Sequence, residues 1–137
     1  MALVVDASYA VAVALEEEDL IGGQDTLERI AAGGVIVPAI WRFEVANALL
    51  MAVRRKRIAA RRPAVILADL EALAITIDEA ATPRAWTATF ALAESHGLTI
   101  YDAAYLELAV RLGAPIASRD GQLIRAARRE AVEVLGV

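Results

Sequence analysis

The chain has 137 residues, room for one domain around one core (1–137 as a single unit). With 58% hydrophobic and 23% charged residues it is not a disordered chain, and with no cysteine it holds neither disulfides nor thiolate-bound zinc, which fits a cytoplasmic protein. A net charge of −4 argues against a protein that coats nucleic acid at large. Asp6 interrupts the apolar start over 2–15, so no signal peptide is expected, and no charge-free apolar run reaches the roughly 18 residues of a membrane span. Aromatics are only 5%, so the core is expected to be aliphatic.

In chain order, Leu3-Val4-Val5 reads as a buried strand, followed by helices over 9–18 and 21–32, the second stopped by Gly33-Gly34. Val35-Ile36-Val37 reads as a strand closed by Pro38, and 40–56 as a long helix. A helix over 64–74 starts after Pro63, and Ile75-Thr76-Ile77 is a third strand. Helices over 83–95 and 101–112 follow, ending at His96-Gly97 and Gly113. Pro115-Ile116-Ala117 is a strand, 122–129 a helix and 132–135 a last strand. Short apolar strands alternating with helices predict an α/β domain of three layers, a central parallel sheet flanked by helices.

Most acidic residues lie among polar neighbours, including the run at 16–19, and read as solvated. Four do not. Asp6 directly follows the first strand, at the sheet edge where α/β proteins bind ligands, and is equally well read as an N-cap for the next helix. Glu44 sits in 39–53, where the other polar residues are Arg42 and Asn47; with few solvent-facing positions on offer, partial burial is favoured over a surface pair with either. Asp102 is the only charge in 98–106, as a cap for 103–112 or as a functional group. Asp120 lies between a strand and Gly121, where an Asp-Gly turn or a cap is the plainer reading. Ionised carboxylates in apolar surroundings are costly unless paired or metal-bound. A parallel sheet gathers its strand ends on one edge, so the four can converge, and hard oxygen ligands suit Mg²⁺ or Mn²⁺.

These residues, in this order, resemble a PIN domain. Val4-Val5-Asp6-Ala7-Ser8 is similar to the family's opening strand, and Phe43-Glu44-Val45-Ala46-Asn47-Ala48-Leu49 to its acidic helix. Tyr101-Asp102-Ala103-Ala104-Tyr105-Leu106-Glu107-Leu108-Ala109 is the strongest match, and Ala117-Ser118-Arg119-Asp120-Gly121-Gln122-Leu123 resembles the closing segment. The likeness spans about residues 2–135, with Ser118 where Thr is frequent and Arg119 at a variable position. It implies a VapC-like toxin, a cytoplasmic Mg²⁺- or Mn²⁺-dependent endoribonuclease, commonly a homodimer, silenced by a cognate antitoxin. It further implies Asp6, Glu44, Asp102 and Asp120 as catalytic acids, with Asp6, Asp102 and Asp120 on the metal. Ser8, Asn47 and Ser118 become supporting polar groups, and Arg119 an RNA contact by position alone. The alternative of another class is a catalytically silent RNA- or protein-binding module on the same fold.

Six of the 14 basic residues fall within 54–62, as an RNA guide or, by the plainer reading, a solvated helix end. His96 reads as a helix-end cap, and Trp41 and Trp86 as core or interface. A haloacid-dehalogenase-type phosphatase wants an acid where Ser8 stands, and a receiver domain wants an acid pair before Asp6 and a late Lys. A dinucleotide-binding domain wants a Gly-rich turn after the first strand, and none is present.

Overall fold

Short runs of aliphatic and β-branched side chains favour extended backbone buried on both faces, and each predicted run forms a strand in the computed structural model, which describes residues 1–15 and 23–136. The acidic run at 16–19 and the predicted junction of the first two helices lie outside the described residues. The strands are β1 (Leu3–Val5), β2 (Val35–Val37), β3 (Ile75–Ile77), β4 (Ile116–Ala117) and β5 (Val134–Leu135). They form a parallel sheet in the order β3-β2-β1-β4-β5. Val4 pairs with Ile36 on one side and with Ile116 on the other. The chain builds outward from β1 in one direction, then returns to build β4 and β5 in the other. That reversal opens a crevice past the carboxyl ends of β1 and β4, the place where such sheets bind ligands.

The helices α1 (Ala7–Ala14), α2 (Gly23–Gly33), α3 (Trp41–Arg54), α4 (Arg62–Glu71), α5 (Ala88–His96), α6 (Ile100–Leu112) and α7 (Gly121–Arg129) flank the sheet. Gly34 turns the chain from α2 into β2 at φ +78, and a Cβ there would meet the Ala74 carbonyl oxygen at 2.8 Å, so the turn admits only glycine without strain.

Two helices differ from the sequence reading in three respects. The predicted helix over 83–95 is split into a 3-10 turn at Thr82–Arg84 and α5. Pro83 sits in the first turn, where its missing N–H does no harm, but Thr87 leaves helical backbone at φ −122 and ψ −97. Helix α4 starts before Pro63 rather than after it, with the proline in its first turn. Helix α5 is capped by Gly97 at φ 65, not by His96, whose Nε2 lies 2.8 Å from Glu130 Oε2 at the end of α7.

The core centres on β1 and α6, with Val4, Leu106, Leu108, Ile116 and Leu123 fully enclosed. It is not purely aliphatic: Tyr9 and Tyr105 are among its largest buried side chains. Trp41 joins the core, whereas Trp86 is 91% exposed. Among the described residues no helix is long and apolar enough to cross a membrane.

Candidate active site

Asp6 follows the last residue of β1 and is 3% exposed. The N-cap reading holds, at a position on the carboxyl edge of the sheet. Its Oδ1 caps α1, accepting from the Tyr9 amide at 2.9 Å, and also takes the Ser8 hydroxyl at 2.8 Å. Its Oδ2 accepts from the Ser118 hydroxyl at 2.5 Å, across from the end of β4. The two serines stitch the crevice: Ser8 Oγ accepts from the Arg119 amide at 3.0 Å, and Ser118 Oγ from the Asp120 amide at 3.0 Å. Burial pushes the Asp6 carboxyl up to about 6, against the pull of these hydrogen bonds and with help from the charge of Asp102.

Glu44 projects from the first turn of α3 and is half-buried. Tyr105, from α6, donates its phenol to Glu44 Oε1 at 2.5 Å. The surface pairings open in the sequence do not form: Arg42 bonds Glu71 at 2.6 Å, and Asn47 is exposed with no side-chain bond to Glu44. Burial raises the Glu44 carboxyl above its ordinary value, Tyr105 opposes this, and the charge of Asp102 adds to it. The Tyr105 phenol is itself held far above the ordinary tyrosine range by burial, by its bond to Glu44 and by the charges of Glu44, Asp6 and Asp102.

Asp102 does not cap its helix. Thr99 does, accepting from the Asp102 amide at 3.2 Å, which leaves the Asp102 carboxylate in the first turn of α6. Burial raises it, the charge of Asp120 raises it further, and Thr99 opposes the shift. Asp120 does cap α7, its Oδ1 accepting from the Gln122 and Leu123 amides at 2.9 and 3.1 Å.

All four acids are thus drawn toward one crevice and feel one another's charge through Asp102. Among the described residues none of them pairs with Lys, Arg or His, and their hydrogen bonds come from neutral donors. Nor are three acids or histidines grouped closely enough to enclose a metal ion outright. Like-charged carboxylates hold apart unless a cation lies between them. Carboxylate oxygens that among the described residues have no cationic partner are the donor set that a hard divalent cation fits.

Sequence reasoning missed Tyr105 and Thr99. Tyr105 was findable, because it stands three residues after Asp102 and so shares its helix face. Also missed was a charge network on α6. Glu107, 3% exposed, takes Arg111 Nε at 2.7 Å and Arg84 Nε at 3.3 Å, while the other end of Arg111 bonds Asp78 Oδ2 at 2.5 Å. This pins α6, which carries Asp102 and Tyr105, to the chain that follows β3.

Comparison with known proteins agrees with this architecture. The chain is 31% identical over 123 residues to Ribonuclease VapC3 of Pyrobaculum aerophilum, covering 90% of this chain and 92% of that one. Its fold is similar to the crystal structure of PAE2754, also from Pyrobaculum aerophilum, with a TM-score of 0.60 at 21% identity over 92% of this chain and 84% of the other. The family model of the PIN domain matches residues 3–129, and the chain belongs to that family.

Proposed function

We propose that the protein is a divalent-metal-dependent endoribonuclease and the toxin member of a toxin–antitoxin pair. The observation that carries this reading is that Asp6, Glu44 and Asp120 each interact through charge with Asp102, and among the described residues none of the four pairs with Lys, Arg or His. The likeness to a ribonuclease VapC supplies the substrate class. In this reading Asp6, Asp102 and Asp120 hold Mg²⁺ or Mn²⁺, with Glu44 beside them. When bound, the cation supplies positive charge against the phosphodiester and makes water a stronger nucleophile.

The protein's own groups set the geometry. Ser8, Ser118 and the Tyr9 amide fix both Asp6 oxygens. The amides at the start of α7 fix Asp120, and Tyr105 fixes one oxygen of Glu44. The other oxygen, Oε2, has no donor among the described residues and accepts a proton from the attacking water, a task helped by the raised proton affinity of Glu44. The water oxygen bonds to phosphorus, the P–O3′ bond breaks, and its electron pair leaves on O3′, which takes a proton. The products carry a 5′-phosphate and a 3′-hydroxyl. Ser118 and Ser8 act as supports for Asp6, and Arg119 meets RNA. A cognate antitoxin and a second copy of the chain are the protein partners, and the cytoplasm is the place of action.

That no three acids among the described residues are close enough to enclose a metal favours a second reading, a silent RNA- or protein-binding module. Incubating total RNA with the purified, antitoxin-free protein separates the two. The nuclease reading requires cutting in Mn²⁺ that EDTA stops and Asp102→Ala abolishes. An Asp102→Ala variant that still cuts overturns it.

A further inference from the structure

The turn between α3 and α4 gathers six cations, Arg54, Arg55, Lys56, Arg57, Arg61 and Arg62, and all six are exposed. The chain has no acid between 45 and 68 to balance them. Among the described residues none of the six has an ion pair, and Asp69, which lines a hollow with Arg61 and Arg62, bonds neither. We propose that this turn binds the phosphate backbone of the RNA strand away from the cut, as an anchor separate from the four acids; this rests on the ribonuclease reading above.

The fold alone gives no reason for these residues. A solvated helix end accounts for Arg54, a cation in the last turn of α3 that complements its dipole. It does not account for Arg61 and Arg62, the N-cap and first residue of α4, where cations oppose the dipole and Arg61 makes no side-chain capping bond. Lys56 takes the left-handed position that closes α3, at φ 60, a place that glycine fills at less cost. The turn does not need the Lys56 side chain, because the Lys56 and Arg57 amides donate to the Val53 and Ala52 carbonyls at 2.9 and 2.8 Å. Like charges packed this closely also repel one another. A polyanion offsets all of these costs, and six cations spread over two helix ends are more than one small anion can contact.

The same helix links the turn to the acids. α3 and α4 run side by side in opposite directions, joined at one end by the Arg42–Glu71 bond at 2.6 Å, so the turn is the far tip of the pair. Arg55 follows Glu44 by 11 residues, which is about three helical turns, about 17 Å of rise and nearly the same direction from the helix axis. Exposed Asn47 and half-buried Met51 lie between them on that side. A strand with its cut phosphate at the acids therefore reaches the turn along one face of α3 within several nucleotides. An acidic protein would answer the charge equally well, but it has no need of this alignment with Glu44, which favours RNA as the occupant.

The test reads RNA binding in EDTA, where metal-dependent cutting is stopped. A fluorescent single-stranded RNA of about 12 nucleotides is titrated across a range of salt with three proteins. They are the wild type, a turn variant combining Lys56→Gly, Arg61→Gln and Arg62→Gln, and a control combining Arg128→Gln and Arg129→Gln at the end of α7. The turn variant should bind about tenfold more weakly at about 0.1 M salt, and its salt dependence should lose a slope of about 2, the share of three phosphate contacts to a single strand. The control should lose much less. The turn variant should melt no lower than the wild type, since the cations it removes oppose the dipole of α4 and occupy a glycine position at the end of α3. Wild-type affinity and slope in the turn variant overturn the proposal, and so does a wild type that does not bind. An equal loss in the control overturns it by reducing the effect to net charge, and a turn variant that melts well below the wild type does so by assigning the cations to the fold. A turn variant that keeps RNA but loses poly-glutamate assigns the turn to an acidic protein partner and overturns it as well. RNA held by the turn but never cut in Mn²⁺ keeps the anchor while the nuclease reading fails; RNA cut in Mn²⁺, with the turn variant binding as the wild type does, keeps the nuclease and removes the anchor.

Discussion

Burying Asp6 changes how the fold responds to acid. Its carboxyl is raised from 3.8 to about 6, so between those values the folded chain binds the proton more tightly than the unfolded chain. The stabilisation from protonated Asp6 is therefore full below about pH 4 and is lost as pH rises through about 6, a swing of about 3 kcal/mol. In EDTA, the urea midpoint of the wild type relative to Asp6→Asn should fall across that window, with Asp6→Asn the more stable protein at neutral pH. A wild type that gains on Asp6→Asn as pH rises would contradict the burial argument. Divalent metal should reverse the deficit: at a hundred times its dissociation constant Mn²⁺ should add about 2.7 kcal/mol to the wild type at neutral pH, and much less to Asp6→Asn. Asp6 was legible in the sequence because a charge stood at the end of an apolar strand. Glu44 was legible for an incorrect reason. The helix was thought short of solvent-facing positions, yet α3 exposes Phe43 at 74% and Leu50 at 44%. What half-buries and fixes Glu44 comes from Tyr105, 61 positions away, and no local pattern encodes such a contact.

The element that most controls the site is α6. It brings Asp102 and Tyr105 to the crevice and is held by the Glu107–Arg111–Asp78 network. Replacing Arg111 with Met keeps much of the aliphatic stem and removes the charge between two acids, one of them buried. The loss should be about 3 kcal/mol of unfolding free energy in urea, because Glu107 is left with Arg84 alone. A variant within the error of the wild type would show that the network does not secure the helix. The strands were readable from their β-branched runs, and every strand centre was found. The break in the helix predicted over 83–95 was not readable: Pro83 is acceptable at a helix start, and the departure of Thr87 from helical backbone has no local breaker behind it. The Glu107 pairing was half visible, since Arg111 follows at four residues, but Asp78 and Arg84 arrive from another part of the fold.

At the scale of the molecule, several large apolar side chains stand in water. Trp86 is 91% exposed, and Phe43, Phe90 and Tyr101 are each near or above half exposed. If the chain pairs with a second copy through Trp86, Trp86→Asp should convert the sedimenting species to a monomer without lowering the unfolding midpoint of that monomer. A wild type already monomeric at high concentration would remove the homodimer from the proposed function. Composition alone does not say which apolar residues stay outside the core; the fold shows that Trp86 and Phe43 do.

The central position of β1 bears on when the protein can act. Val4 must pair with Ile116, and Asp6 must receive the Ser118 hydroxyl, so the crevice joins groups 112 positions apart in the chain. A chain growing from the ribosome can dock β2 and β3 on β1 early, yet it lacks half of the crevice until the residues after β4 have emerged. Incomplete chains therefore hold Asp6 without its partner across the sheet. Whatever this site does to a substrate, it begins only once the residues after β4 have joined the sheet.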